Sequence, residues 1–144
     1  MLPTMRRVIR GQFNNSNHGA DFFAVDDAGR LWVIEAKGST RHGGALALNG
    51  YVERAGGVQM SDNWVSDCAS RLANTEDGLA NIRQMMNWGD EYTDDAVRQM
   101  WQSQAENAHR AVVVPDGYAV DHHSIHAAGM SLDDVYHIRG WEGW

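Results

Sequence analysis

Two short apolar segments separated by a turn signal constrain the fold of this chain more than any other feature. Residues 20–26 and 30–37 are rich in Phe, Val, Ile and Trp, and residues 27–29, with the sequence Asp-Ala-Gly, lie between them. This pattern predicts a β-hairpin with a type I turn followed by a glycine in the left-handed region. Because both faces of the strands are apolar near the turn, we expect the hairpin to lie inside a sheet that is covered on both sides.

The turn also predicts which residues face each other across the hairpin. If Asp26 pairs with Arg30, the same register brings Asp21 opposite Glu35, with Cβ atoms about 5 Å apart. Lys37, the only lysine among 144 residues, lies two residues after Glu35 and points to the same face. Two carboxylates so placed repel each other, and a divalent cation between them removes the repulsion. Carboxylate and carbonyl oxygens with water are the ligands that Mg²⁺ or Mn²⁺ favours.

The rest of the chain predicts three helices and further strands. Apolar spacing indicates helices over residues 61–73, 76–88 and 93–107, and strands are expected over residues 109–114 and 135–138, with a short one near 45–48. No strand or helix is assigned to residues 1–18, which are polar and basic. We therefore expect a single α/β domain over residues 1–144, with a mixed central sheet of about four strands flanked by helices.

The bulk composition narrows the class of protein. A formal net charge of −7 and a pI of about 5.3 are not those of a general nucleic-acid binder, although Arg6, Arg7 and Arg10 make residues 1–20 locally basic. The single cysteine, Cys68, excludes an internal disulfide and is expected in the core, with most of the tryptophans. No apolar run approaches the roughly 18 residues of a membrane span, and the N-terminus lacks the apolar stretch of a secretory signal.

The motif around the hairpin resembles the PD-(D/E)XK, or restriction-endonuclease-like, nuclease superfamily. A Gly-Ala-Asp triplet ends at Asp21, and a Glu-Ala-Lys triplet, Glu35 to Lys37, follows the turn. The resemblance implies that Asp21 and Glu35 bind the metal and that Ala36 contributes its backbone carbonyl. It also implies that Lys37 assists the attacking water. The expected activity is metal-dependent hydrolysis of phosphodiester bonds, with Mg²⁺ or Mn²⁺ as the cofactor and Zn²⁺ as the alternative.

The same resemblance suggests further site residues. Family members often place a glutamine or other polar residue near the metal, on the helix after this hairpin, and Gln59, just before Ser61, is the candidate here. Apart from the resemblance, the positions of His18, Arg41 and His42 beside the motif make them candidates for contact with substrate, and solvated surface is the alternative interpretation of each. The family often draws a glutamate from a helix before the first strand, but residues 1–20 contain no acid. Either that ligand is absent here, Gln12 substitutes for it weakly, or the natural chain extends upstream.

A second stretch points to a biological setting. The run Gly-Gly-Val-Gln-Met-Ser at residues 56–61, followed by Trp64, is similar to nuclease domains at the C-termini of bacterial polymorphic toxins, including contact-dependent inhibition toxins. This resemblance implies a domain that is secreted as part of a larger effector, delivered to the target-cell cytoplasm and bound by a cognate immunity protein.

These observations leave several functions open. DNA is the first expected substrate, because the superfamily leans that way, and tRNA or other structured RNA is the alternative. A different class is a non-catalytic module that binds nucleic acid or protein and retains the fold, or an interaction domain in which the two acids are incidental. The net charge of −7 favours that alternative, because a phosphate backbone repels an acidic chain.

Overall fold

The computed structural model of the chain describes residues 2–12, 19–36, 45–46, 52–53, 57–115, 119–120 and 132–138. The elements, in chain order, are β1 (Met5–Gln12), β2 (Gly19–Asp26), β3 (Leu31–Ala36), β4 (Ala45–Leu46), β5 (Val52–Glu53), β6 (Gly57–Val58), α1 (Asp62–Ala73), α2 (Glu76–Met86), α3 (Asp94–Glu106), β7 (His109–Pro115), β8 (Ala119–Val120) and β9 (Asp134–Ile138).

Five strands form one mixed sheet in the order β1-β2-β3-β7-β9. β1, β2 and β3 are antiparallel neighbours, whereas β3, β7 and β9 run parallel. The three helices lie between β3 and β7 in the chain, where parallel neighbours need a long crossover. The predicted α/β fold with a mixed sheet and flanking helices is confirmed, and β1 is a fifth strand that was not predicted. Elsewhere β4 pairs with β8, and β5 pairs with β6.

The hairpin has the predicted turn and register. The backbone N–H of Asp26 donates to the carbonyl of Arg30 at 3.0 Å, and Gly29 has a φ of 83°. Further along the strands, Phe22 pairs with Ile34. The register follows from the turn because a three-residue loop with glycine in the left-handed region leaves one way to align the strands.

The main hydrophobic core lies between the sheet and the helices. Trp64 and Trp101 are fully buried, and the ring of Trp101 meets the ring of Phe23 edge to face at 4.9 Å. Cys68 is buried among them, and Trp88 packs against this core while partly exposed. The interpretation of these tryptophans and of Cys68 as core residues is confirmed.

The opposite face of the sheet is also buried. Its apolar side chains form a second, smaller cluster consisting of Ala24, Trp32, Ile34, Ala111 and Val113. The hairpin is therefore covered on both faces, as its uninterrupted apolar pattern predicted.

The helices begin at hydroxyl side chains. The residues before them, Ser61, Thr75 and Thr93, each accept a hydrogen bond from the backbone N–H three positions later, at 3.3, 3.0 and 3.1 Å. Such caps satisfy one of the N–H groups that a helix start leaves without a partner. Among the helices of the described ranges, none has the length and apolar character needed to cross a membrane.

Candidate active site

Asp21 and Glu35 lie together where the backbone pairing of the hairpin ends. The backbone pairing ends at Phe22 and Ile34, and beyond it the two carboxylates accept hydrogen bonds from the backbone of the opposite strand. The N–H of Asp21 donates to Oε1 of Glu35 at 2.9 Å, and the N–H of Ala36 donates to Oδ2 of Asp21 at 2.8 Å. The two acids are thus adjacent, as the register required, while their catalytic and metal-binding roles stay predictions.

The two carboxylates differ in their access to solvent. Glu35 is only 4% exposed and aligns with Val112 of β7, whose side chain belongs to the main core. Asp21 is half-buried. A buried carboxylate is costly without hydrogen-bond donors, and the N–H of Asp21 supplies one to Glu35. The arrangement combines one carboxylate anchored in the core with one at the rim, which a solvated ion can approach.

Gln12, on β1, contacts the acid pair formed by Asp21 and Glu35. Its amide nitrogen lies 3.4 Å from Oδ1 of Asp21, a long hydrogen bond that leaves the amide only weakly held. Gly11 makes this approach feasible, because a Cβ at that position would lie 2.5 Å from the carbonyl oxygen of Ala20. Gln12 was one of the alternatives considered for a missing upstream acid, and the fold places it beside Asp21.

Gln59 lies in the turn before α1 rather than within a helix. Its side chain is 2% exposed, and Met60, which follows it, has a φ of 61°. A non-glycine residue in the left-handed region is strained and persists only where the surrounding structure holds it. The holding group is Arg110, whose guanidinium donates to the carbonyl of Met60 at 3.1 Å and meets Asp62 at 2.7 Å.

Arg110 is the residue of this region that the sequence analysis missed. It belongs to β7, aligns with Val33 of β3 and is 7% exposed. It therefore lies two positions before Val112, on the sheet face that carries Glu35. The signal that points to it is an arginine inside an apolar strand, because a charged side chain in such a position needs partners.

Four predicted site residues fall outside the described residues: His18, Lys37, Arg41 and His42. Their expected contacts with substrate and water stay predictions. The described part of the site consists of Asp21, Glu35, Ala36 and Gln12. The buried turn at Gln59 is held by Arg110, and the predicted role of Gln59 at the site stays a prediction.

The donor set of the acid pair fits a cation that prefers oxygen. Each carboxylate oxygen has two lone pairs, so an oxygen that accepts one N–H retains a second for a cation. Together with the carbonyl of Ala36, Asp21 and Glu35 offer the mixture that suits Mg²⁺ or Mn²⁺. Zn²⁺ prefers nitrogen and sulfur and usually takes three or four protein ligands. Within the described ranges, no group of three or more His, Cys, Asp and Glu side chains converges.

A separate polar cluster lies on the other face of the sheet. Nε2 of His109 and Oδ2 of Asp134 are 2.6 Å apart, and the His109 ring packs on Trp32 with centroids 4.1 Å apart. Burial raises the pKa of the Tyr136 hydroxyl, and the charge of Asp134 and a hydrogen bond to it raise it further. These contacts connect β9 to β7 and β3 on the side away from the acid pair.

Comparison of the chain with protein-family models, with curated proteins and with solved structures finds no match. The features that bear on function are therefore the geometry of the acid pair and the motif that contains it.

Proposed function

We propose that this chain is a metal-dependent endonuclease that hydrolyses phosphodiester bonds, and that its substrate is DNA. The observation that supports this most directly is the adjacency of Asp21 and Glu35 at the end of the β2–β3 ladder. Two ionised carboxylates side by side repel each other, and a divalent cation between them would offset that repulsion. The motif resemblance supports the same reaction.

In this proposal each residue has a distinct task. Asp21, Glu35 and the carbonyl of Ala36 hold Mg²⁺ or Mn²⁺. When bound, the ion polarises a phosphoryl oxygen and activates water. Lys37 orients the attacking water and neutralises negative charge that develops on the phosphate. Gln59, which is buried, is the proposed polar side chain near the metal.

The toxin resemblance adds a setting to this activity. We propose that the domain acts in the cytoplasm of a target bacterium after secretion as part of a larger effector, and that a cognate immunity protein protects the producing cell. tRNA is the alternative substrate, because related toxins cleave either nucleic acid.

A second candidate function is a non-catalytic binding module with this fold. The net charge of −7 favours it, because bulk repulsion opposes approach to a phosphate backbone. A cleavage assay distinguishes the two functions, because a binding module cleaves no nucleic acid whichever metal is present.

The decisive experiment incubates the purified chain with plasmid DNA and with total tRNA in Mg²⁺, Mn²⁺ or EDTA. Asp21→Asn, Glu35→Gln and Lys37→Ala are tested beside the wild type, and Asp95→Asn is the control because that carboxylate is 89% exposed on α3. We expect cleavage with either metal, loss in the three site variants and full retention in the control.

Two results would contradict the proposal. Cleavage that persists in EDTA or in Asp21→Asn would remove the metal mechanism. A correctly folded wild type, checked by circular dichroism, that cleaves neither substrate would favour the binding module.

A further inference from the structure

β1 forms one edge of the five-stranded sheet, and no strand of the described chain pairs with its outer side. Its pairing with β2 is regular from Arg7 to Arg10 and shifts register on either side of that stretch. An edge strand presents backbone N–H and C=O groups alternately, which makes it a template for another extended chain.

The edge is positively charged on a chain of net negative charge. Arg6 and Arg10 are exposed and have no ion pair among the described residues, and β1 contains no acid. Arg7 instead donates to the carbonyls of Gln84 and Met85, at 2.8 and 3.3 Å, at the end of α2. Four arginines elsewhere do pair with carboxylates: Arg71 with Asp67, Arg83 with Asp94, Arg98 with Asp95 and Arg110 with Asp62.

An exposed apolar side chain and a groove accompany these charges. Val8 is 52% exposed, and the other exposed large apolar side chain of the described residues is Tyr92. Between β1 and α2 lies a groove of about 530 Å³ that combines apolar and amide side chains, including Val8, Ile9, Met85, Asn81, Gln84 and Asn87. Apolar contacts beside hydrogen-bonding amides suit the side chains of a bound peptide.

We propose that β1 docks an extended, acidic segment of a partner protein, which joins the sheet as a sixth strand. The edge offers both donors and acceptors, which favours a polypeptide as the occupant. A peptide strand satisfies both kinds of group, whereas a phosphate backbone offers only acceptors and would leave the carbonyls of β1 facing its negative charge. The exposed arginines Arg6 and Arg10 favour acidic side chains on that peptide.

The same charges disfavour a second copy of this chain as the occupant. Two β1 edges paired about a two-fold axis would bring arginines against arginines, and like charges across a strand pair are destabilising. β1 ends at Gln12, beside Asp21, and a docked segment would be separated from the acid pair by β1 itself. The inference does not depend on the proposed nuclease activity.

The test uses the full chain and capped, fluorescently labelled peptides of equal length. One peptide alternates glutamate with valine, and a second alternates lysine with valine. Two further versions of the glutamate peptide carry N-methyl groups on alternate residues, one version for each edge of the extended chain. At low ionic strength we expect the glutamate peptide to bind about tenfold more tightly than the lysine peptide. N-methylation of one edge should abolish binding, because it removes the backbone donors that pair with β1.

Matched double variants locate the contact. Arg6→Gln with Arg10→Gln should remove the preference for the glutamate peptide, while Arg71→Gln with Arg98→Gln should preserve it. Amide hydrogen exchange of the wild type should slow in β1 when the peptide binds, and this readout does not depend on any variant folding.

Several results would overturn the proposal. These are equal binding or no binding of the two charged peptides, no effect of N-methylation on either edge, and a preference that survives the β1 double variant. A β1 double variant that loses affinity for a DNA duplex but keeps its affinity for the glutamate peptide would assign the edge to nucleic acid instead.

Discussion

The guanidinium of Arg110 donates a hydrogen bond to the backbone carbonyl of Met60 at 3.1 Å, across 50 positions of sequence. Met60 is held in the left-handed region, at a φ of 61°, where a non-glycine residue costs about 1–2 kcal/mol. Arg110 thus fixes the turn that carries Gln59 on the sheet face that carries Glu35.

Arg110→Met should lower the free energy of unfolding by about 1–3 kcal/mol, because the carbonyl of Met60 is left without its buried donor. If the site has its proposed function, cleavage should fall as well, because the turn before α1 loosens. Urea denaturation and initial cleavage rates measure the two effects. Arg71→Met, at an exposed position on α1, should cost under about 1 kcal/mol. Equal losses for the two variants would contradict a special role for Arg110.

Gln12→Glu should increase the stabilisation of the chain by Mn²⁺. The substitution adds a third carboxylate beside Asp21, so repulsion lowers the stability of the metal-free chain while affinity for the cation rises. A ligand that binds only the folded state raises the melting temperature in proportion to the logarithm of its affinity. The measurement is the melting temperature in Mn²⁺ minus that in EDTA.

We expect this difference in melting temperature to be largest in Gln12→Glu, smaller in the wild type and absent in Asp21→Asn. A wild type that Mn²⁺ does not stabilise at millimolar concentration would count against the metal site itself. A smaller shift in Gln12→Glu than in the wild type would mean that position 12 lies outside the cation's coordination shell.

Two glycine substitutions separate steric from conformational effects. In Gly11→Ala the new Cβ would meet the carbonyl of Ala20 at 2.5 Å, so β1 must move away from β2 and carry Gln12 with it. In Gly29→Ala the Cβ enters open space, and only the φ of 83° is unfavourable. Each should cost about 1–3 kcal/mol of unfolding free energy. Only Gly11→Ala should reduce the Mn²⁺-dependent shift and the cleavage rate.

Asp26 predicts a dependence of stability on pH. Burial raises the pKa of its carboxyl, but hydrogen bonds from Trp32 and from the backbone of Arg30 and Ala28, together with the charge of Arg30, outweigh burial and leave the pKa below its usual 3.8. The ionised carboxylate therefore stabilises the fold above the unfolded pKa of about 3.9, and this contribution is lost as pH falls through the lower pKa of the folded state.

Asp26→Asn should accordingly lower the free energy of unfolding by about 1–3 kcal/mol at neutral pH. The difference from wild type should stay constant down to about pH 5 and shrink below about pH 4. Chemical denaturation across this range measures it, with Asp95→Asn as an exposed control that should show no comparable difference. A deficit that grows as the pH falls would have the wrong sign.

The hairpin and the helices were predictable because the information for them is local. A glycine at position 29 and the apolar strands on either side determine the register, and that register alone brings Asp21 beside Glu35. The helix starts follow from single hydroxyl side chains such as Ser61. β1 was not predictable in the same way, because an edge strand buries few side chains and its apolar periodicity is weak.

By itself, the sequence determined the α/β class, the hairpin and the adjacency of its two acids, since these depend on turn chemistry and on the alternation of neighbouring residues. Only the tertiary structure decided that β1 pairs with β2, that Gln12 meets Asp21 and that Arg110 holds the turn at Met60. These contacts join residues from different elements. No local pattern specifies them, because they form only when the packing of the sheet and helices brings those elements together.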